Sequence, residues 1–229
     1  MKNLAVITAR GGSKRIPRKN IRDFLGKPII AYSIQAALDT GLFDEVMVST
    51  EDEEIAEIAR HYGAKVPFLR SEKTADDFAT TADVLMEVLL EYSKTGTQFQ
   101  YLCCIYPTAP LLKPNLVQEA FELLINKDFE TVFPVLKFSF PIQRALKVGT
   151  ENKAEMFYPE HLNTRSQDLQ PAFHDSGQFY WLRVDRFLQS QKLLTENTGV
   201  IPISEMEAQD IDNLEDWQLA ELKYKLLNP

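Results

Sequence analysis

With 229 residues, 45% hydrophobic and 25% charged, the chain is long enough to bury a substantial core, and one domain over 1–229 accommodates it. Its net charge of -8 at pH 7 argues against a general nucleic-acid or anionic-membrane binder, since either wants a basic face. No apolar stretch approaches the ~20 residues that span a bilayer, and the N-terminus lacks the long apolar segment of a secretory signal, so a cytoplasmic location is expected.

Leu4-Ala5-Val6-Ile7-Thr8 reads as a buried strand. It runs directly into Ala9 to Asn20, where five of the ten residues from Arg10 to Lys19 are basic and no acid occurs before Asp23. Such a run can be a solvated loop. Its place after the first strand of an α/β pattern favours a phosphate site, because ligands gather at the carboxyl ends of such strands. Gly11 and Gly12 allow a sharp turn and close approach of backbone N–H groups to an anion, while Arg10, Lys14, Arg15, Arg18 and Lys19 can neutralise its oxygens.

Further on, Pro28 starts and Gly41 ends a helix over Ile29 to Leu38. Glu45 to Thr50 is a second strand, Glu53 to Tyr62 a helix stopped by Gly63, and Lys65 to Leu69 a short third strand, expected at an edge because Pro67 interrupts it. Thr80 or Thr81 caps a helix whose apolar positions are Val84, Leu85, Val88, Leu89 and Tyr92. Tyr101 to Tyr106 is a fourth strand that enters the turn Pro107-Thr108-Ala109-Pro110. Within it Cys103 and Cys104 alternate faces, which suits core thiols rather than a disulfide or zinc site. A helix from Pro114 to Asn126 and a strand from Thr131 to Leu136 complete the alternation that marks a mostly parallel sheet flanked by helices.

From Lys137 to Asp175 neither period is kept, yet Phe138, Phe140, Phe157, Tyr158 and Phe173 occur there. So many aromatics imply an arm, at about 137–175, that packs on another subunit. Strands return at Gln178 to Arg183 and Gly199 to Ile203, and a helix from about Asn213 to Leu227 closes the chain.

Ahead of that last helix stands Asp210-Ile211-Asp212. In extended chain the two carboxylates share one face while Ile211 enters the core, an arrangement suited to magnesium that also holds substrate phosphates. Asp212 with Glu215 is equally an acceptable capping box, which accounts for Asp212 but not for Asp210.

Taken together, Ala9 to Asn20, Pro107-Thr108-Ala109-Pro110-Leu111 and Asp210-Ile211-Asp212 resemble, in order, the signatures of the acylneuraminate cytidylyltransferases, the CMP-sialic acid synthetases. Cys103 to Thr108, Phe138 to Arg144, Arg165 to Leu169 and His174 to Tyr180 are most similar to the pseudaminic acid subgroup. The resemblance implies a Rossmann-like nucleotidyltransferase fold, CTP and a nonulosonic sugar acid as substrates, Mg2+ as cofactor, and a homodimer whose arm reaches the neighbouring active site. By resemblance, Arg10, Ser13, Lys14, Lys19 and Asn20 hold triphosphate and ribose, Arg70 helps recognise cytosine, Thr80 falls near the base, and Asp210 and Asp212 bind the metal. Arg10, Lys19 and Asp212 are the residues expected to carry catalysis. On the sugar side Tyr106 stands where sialic-acid members often have glutamine, and Gln143 or Arg144 replaces a family lysine. Those departures disfavour N-acetylneuraminic acid as substrate. Arg165 is a partner for the sugar carboxylate, with Thr108, Gln178 and Tyr180 as further pocket residues. His161 and His174 are read as structural or orienting groups before general bases. The rival readings are another CMP-sugar acid (N-acetylneuraminic, legionaminic or Kdo), another nucleotide on the same fold, and a silent nucleotide-binding assembly protein. The loop lacks the Gly-x-Gly-x-x-Gly spacing of a dehydrogenase.

Overall fold

A computed structural model describes residues 2–228. The first half alternates as the hydrophobic pattern requires: β1 (Asn3–Thr8), a hairpin of β2 (Asp23–Phe24) and β3 (Lys27–Pro28), α1 (Ile29–Asp39), β4 (Glu45–Ser49), α2 (Glu53–His61), α3 (Glu72–Ala75), α4 (Thr81–Lys94), β5 (Tyr101–Ile105), α5 (Pro114–Asn126) and β6 (Thr131–Lys137). Then come the hairpin β7 (Leu146–Val148) and β8 (Ala154–Met156), β9 (Phe173–Asp175), β10 (Phe179–Arg183), α6 (Val184–Ser190), β11 (Thr198–Ile203) and α7 (Leu214–Leu227).

One sheet has the order β11-β6-β10-β5-β1-β4, with β9 also on β6. β4, β1, β5, β6 and β11 run one way, while β9 and β10 oppose them. After β4 the chain crosses back to the other side of β1 to lay down β5. That reversal opens a crevice at the carboxyl ends of β1 and β5.

β1, β4, β5, β6 and β10 are buried on both faces, and period-2 alternation divides the core. Ala5, Ile7, Val46, Val48, Cys103, Ile105 and Trp181 pack with α1, α2 and α5; Leu4, Val6, Met47, Leu102, Cys104 and Leu182 pack with α4 and α6. Trp181 stacks on Phe43 at 5.1 Å between ring centroids, and its indole N–H donates to Val117 O at 2.9 Å. Burial raises both thiols, Cys104 to about 12, so neither is a nucleophile at neutral pH.

A third cluster joins the chain's two ends. Ile16 of the basic loop packs with Phe24, Ile29, Ile211, Trp217 and Ala220. Burial of these apolar side chains is what brings the cationic loop to the Asp210-Ile211-Asp212 segment.

Two local expectations change. Lys65 to Leu69 is no strand: Lys65 makes one bridge to Met47, and Pro67, which lacks an N–H, follows within two residues. The box capping α7 is Asn213 with Asp216, one residue beyond the Asp212 and Glu215 pairing. The 137–175 arm leaves the sheet after β6 and returns as β9 beside it. Between them it is 3-10 turns and the β7-β8 hairpin, and it leaves Phe140, Val148, Phe157 and Leu162 exposed.

Candidate active site

The crevice is a cleft of about 520 Å³ lined by Thr8 from β1, Arg10 to Asn20 in part, Arg70, the 74–84 segment in part, Tyr106 to Thr108 after β5, and Asp210. Arg10, Lys14, Arg15 and Lys19 line it; Arg18 does not. With φ at 55°, Arg18 turns its guanidinium onto Asp52 and Glu54 at the start of α2. Four of the five loop cations thus face one space, and the fifth holds the loop to the scaffold.

Gly11 and Gly12 lie outside the lining residues. The Gly11 N–H donates to Glu51 Oε1 at 2.7 Å, and a Cβ at position 11 would stand 2.6 Å from Asp52 Oδ2. The bare backbone there serves the approach of the β4-α2 carboxylates. Asn20 is buried and donates from Nδ2 to Arg10 O at 2.8 Å, fixing the two ends of the loop against each other. Ser13 lines the cleft beside them.

Lys19 links the loop to the carboxylate pair. Its Nζ donates to Ile211 O at 2.7 Å. Burial lowers its pKa, while the nearby charges of Asp212 and Asp210 oppose that shift. Ile211 is fully buried, whereas Asp210 is exposed and Asp212 partly so. Because Asn213 takes the capping role, the Asp212 carboxylate is released from the helix and meets Arg15 at 2.7 Å. Two adjacent hard-oxygen donors beside a cationic cleft fit a divalent cation that shares its coordination with phosphates.

Arg70 is buried against β4, donating from Nε to Ser49 Oγ at 3.0 Å and from a terminal nitrogen to Ser49 O at 2.6 Å. Desolvation lowers its pKa, with Glu51 the first charge opposing the shift. Thr80 and Thr81 both line the cleft, but the Thr80 hydroxyl is engaged with Asp83 in the box that caps α4, whereas Thr81 Oγ1 lies 3.4 Å from Tyr106 Oη. Tyr106 and Thr108 sit on the turn after β5, and burial raises Tyr106 to about 12, keeping its phenol neutral.

The remaining residues expected on the sugar side are dispersed. Gln178 is buried and donates from Nε2 to Glu207 O at 2.7 Å. Tyr180 is buried too, stands edge-on to Tyr106 at 5.8 Å, and donates its hydroxyl to Asp175. Arg144 and Arg165 are exposed on the arm and do not line this cleft; Arg165 pairs with Asp168 at 2.7 Å, and Arg144 donates to Thr164 O. His161 and His174 are on the arm, and His174 Nδ1 lies 2.8 Å from Asp175 O. Sequence reasoning passed over Thr81 and the Asp76-Asp77 pair that also line the cleft. The family-like run Phe78 to Thr81 pointed to this segment without separating its members.

This sheet, with its cleft at the reversal of strand order, defines a nucleotidyltransferase fold. A solved structure of CMP:2-keto-3-deoxy-manno-octonic acid synthetase complexed with CTP shares it at a TM-score of 0.71 and 18% identity, covering 99% of each chain. The Cytidylyltransferase family profile matches residues 4–225, and the chain belongs to that family. It is 42% identical over 226 residues to the pseudaminic acid cytidylyltransferase of Campylobacter jejuni, covering 99% of this chain and 97% of the relative. The CMP-N,N'-diacetyllegionaminic acid synthase of Legionella pneumophila is 33% identical, over 96% of this chain and 95% of its own length.

Proposed function

We propose that this cytidylyltransferase moves CMP from CTP to the anomeric hydroxyl of pseudaminic acid and releases pyrophosphate. The observation that carries the reading is the meeting of Arg10, Lys14, Lys19 and Asp210 around one cleft, in a chain 42% identical along its length to a pseudaminic acid cytidylyltransferase.

The anomeric hydroxyl oxygen attacks the α-phosphorus in line with the departing pyrophosphate, its proton passing to Asp212 or to solvent, so one P–O bond forms as another breaks and no covalent enzyme intermediate arises. Arg10, Lys14 and Lys19 counter the charge of the phosphate oxygens, and Asn20 keeps the loop in the shape that presents them. Arg70 and Thr81, which line the same cleft as Asp210, would read the base. Asp210 and Asp212 would hold magnesium, which when bound supplies charge neutralisation and polarises the α-phosphate. Tyr106 faces the sugar as a neutral hydroxyl. Arg144 and Arg165 serve through a homodimer, in which the exposed apolar arm of one protomer packs on its partner and carries them to the partner's cleft.

Incubation with CTP, magnesium and a panel of nonulosonic acids, followed by mass spectrometry, should give CMP-pseudaminic acid and pyrophosphate in equal amounts. A preference for N,N'-diacetyllegionaminic acid would move the assignment to that sugar, and absence of any CMP-sugar would remove it.

A further inference from the structure

Between α3 and α4 the chain lines the cleft as a strap from Asp76 to Thr80, and both its ends are fixed. Glu87 of α4 accepts from the Ser71 amide at 2.7 Å and the Ser71 hydroxyl at 2.8 Å, and also from Thr74 of α3. At the far end Thr80 and Asp83 close the capping box. In the middle Asp76 Oδ1 accepts from the amides of Phe78 at 2.9 Å and Ala79 at 2.7 Å. That turn points Phe78 outward, 91% exposed, and Asp77 into the cleft.

The Asp77 carboxylate accepts from Arg10 at 2.7 Å with one oxygen and from Lys14 with the other, while the Asp76 carbonyl accepts from the same Arg10 nitrogen at 3.1 Å. Two oxygens on one acidic group, each on a different cation, is the pattern a phosphate would make. Lys14, then Arg10, holds the Asp77 carboxyl below the usual carboxylate range, so it is charged at any working pH. The same cations cannot serve Asp77 and a polyphosphate together.

We propose that Asp77 is an internal stand-in for a phosphate group: it occupies the Arg10 and Lys14 pair in the resting protein, is displaced by the triphosphate, and returns to hasten pyrophosphate release. This rests on the assignment of the cleft to CTP made above. It gives the site a charge threshold. An anion with one or two oxygens merely exchanges one ion pair for another. A triphosphate reaches Arg15 and Lys19 as well and outweighs the loss. Because both pairs are open to solvent, Lys14 most of all, the threshold is modest.

Titration calorimetry with pyrophosphate and with CTP tests this on the wild type, Asp77→Asn and Asp77→Glu. Asp77→Asn should bind both ligands roughly three- to tenfold tighter, and single-turnover against steady-state rates should show product release slowed. Asp77→Glu, which keeps the charge, should stay within about twofold of wild type and exclude a purely steric effect. Wild-type binding with Asp77→Asn no tighter, or weaker, overturns the stand-in alone and makes Asp77 a ligand-side contact. No binding of either ligand to any of the three removes the CTP assignment and this proposal with it.

Discussion

Lys19 and Asp212 show how one side chain is selected for chemistry. Lys19 is drawn partly out of water, tied to Ile211 O, and left facing two carboxylates and the cleft. Removing one charge-stabilising donor in enzymes costs a hundredfold or more, so Lys19→Ala and Arg10→Ala should each lower kcat by about 10² or more. Circular dichroism should show both variants folded, and wild-type turnover in either would withdraw its catalytic role. Asp212 and Asn213 separate two roles that adjoin in sequence. Asn213→Ala should cost about 1 kcal/mol in a urea melt with kinetics unchanged, because it removes the cap of α7. Asp212→Asn should leave the melt nearly unchanged and abolish the response to magnesium. Reversal of those two patterns would make Asp212 the structural residue. The ambiguity was present in the letters: Asp212 with Glu215 and Asn213 with Asp216 are both acceptable capping boxes, and only the path of the chain into α7 chose between them.

At the level of elements, the junction of β4 and α2 is the mount of the cationic loop. Asp52 caps α2 by accepting from the Ile55 amide at 3.0 Å, and it also receives Arg18. The Arg18 hydrogen bond holds its carboxyl below the usual carboxylate range. A folded pKa that lies below the unfolded value contributes stability above the unfolded pKa, near 4, and loses it as pH falls through the folded one. Stability measured by denaturant should therefore fall more steeply below pH 4 in wild type than in Asp52→Asn. At neutral pH that variant should be about 1–2 kcal/mol less stable. Parallel slopes would show that Asp52 is not a source of the acid sensitivity. Most elements were legible because their periods are strong: β1, β4, β5, β6, α1, α2, α4 and α5 coincide with their predicted spans to within one or two residues. The Lys65 to Leu69 run misled because β-type residues cannot supply the N–H that Pro67 lacks. The two-residue strands β2 and β3 carry too few positions for any period.

For the whole molecule, Arg144 and Arg165 are exposed on the arm and neither lines the cleft of its own chain. In the proposed dimer each site takes its phosphate-binding loop from one protomer and its arm from the other. Light scattering should then report twice the 26.2 kDa chain mass. Lys19→Ala and Arg165→Ala, each inactive alone, should recover about a quarter of wild-type activity when unfolded and refolded together, because half the dimers then carry one intact site. No recovery from a mixed dimer would return the arginines to their own chain's site or to no site at all.

The α/β alternation, the cationic loop after β1, the two-faced burial of Cys103 and Cys104, and the outward Asp210 and Asp212 about an inward Ile211 are all written in the order of the residues. All of these are properties of period and of neighbours along the chain. Packing in three dimensions selects which cations face the cleft, sets Gly11 against Asp52 and Glu51, makes Asn213 and not Asp212 the cap of α7, and brings Asp77 to Arg10 and Lys14 from more than 60 positions away. The reason is physical. Short-range pattern records which face of an element is apolar, whereas an ion pair across a cleft depends on where the burial of Ile16, Ile211 and Trp217 leaves the backbone.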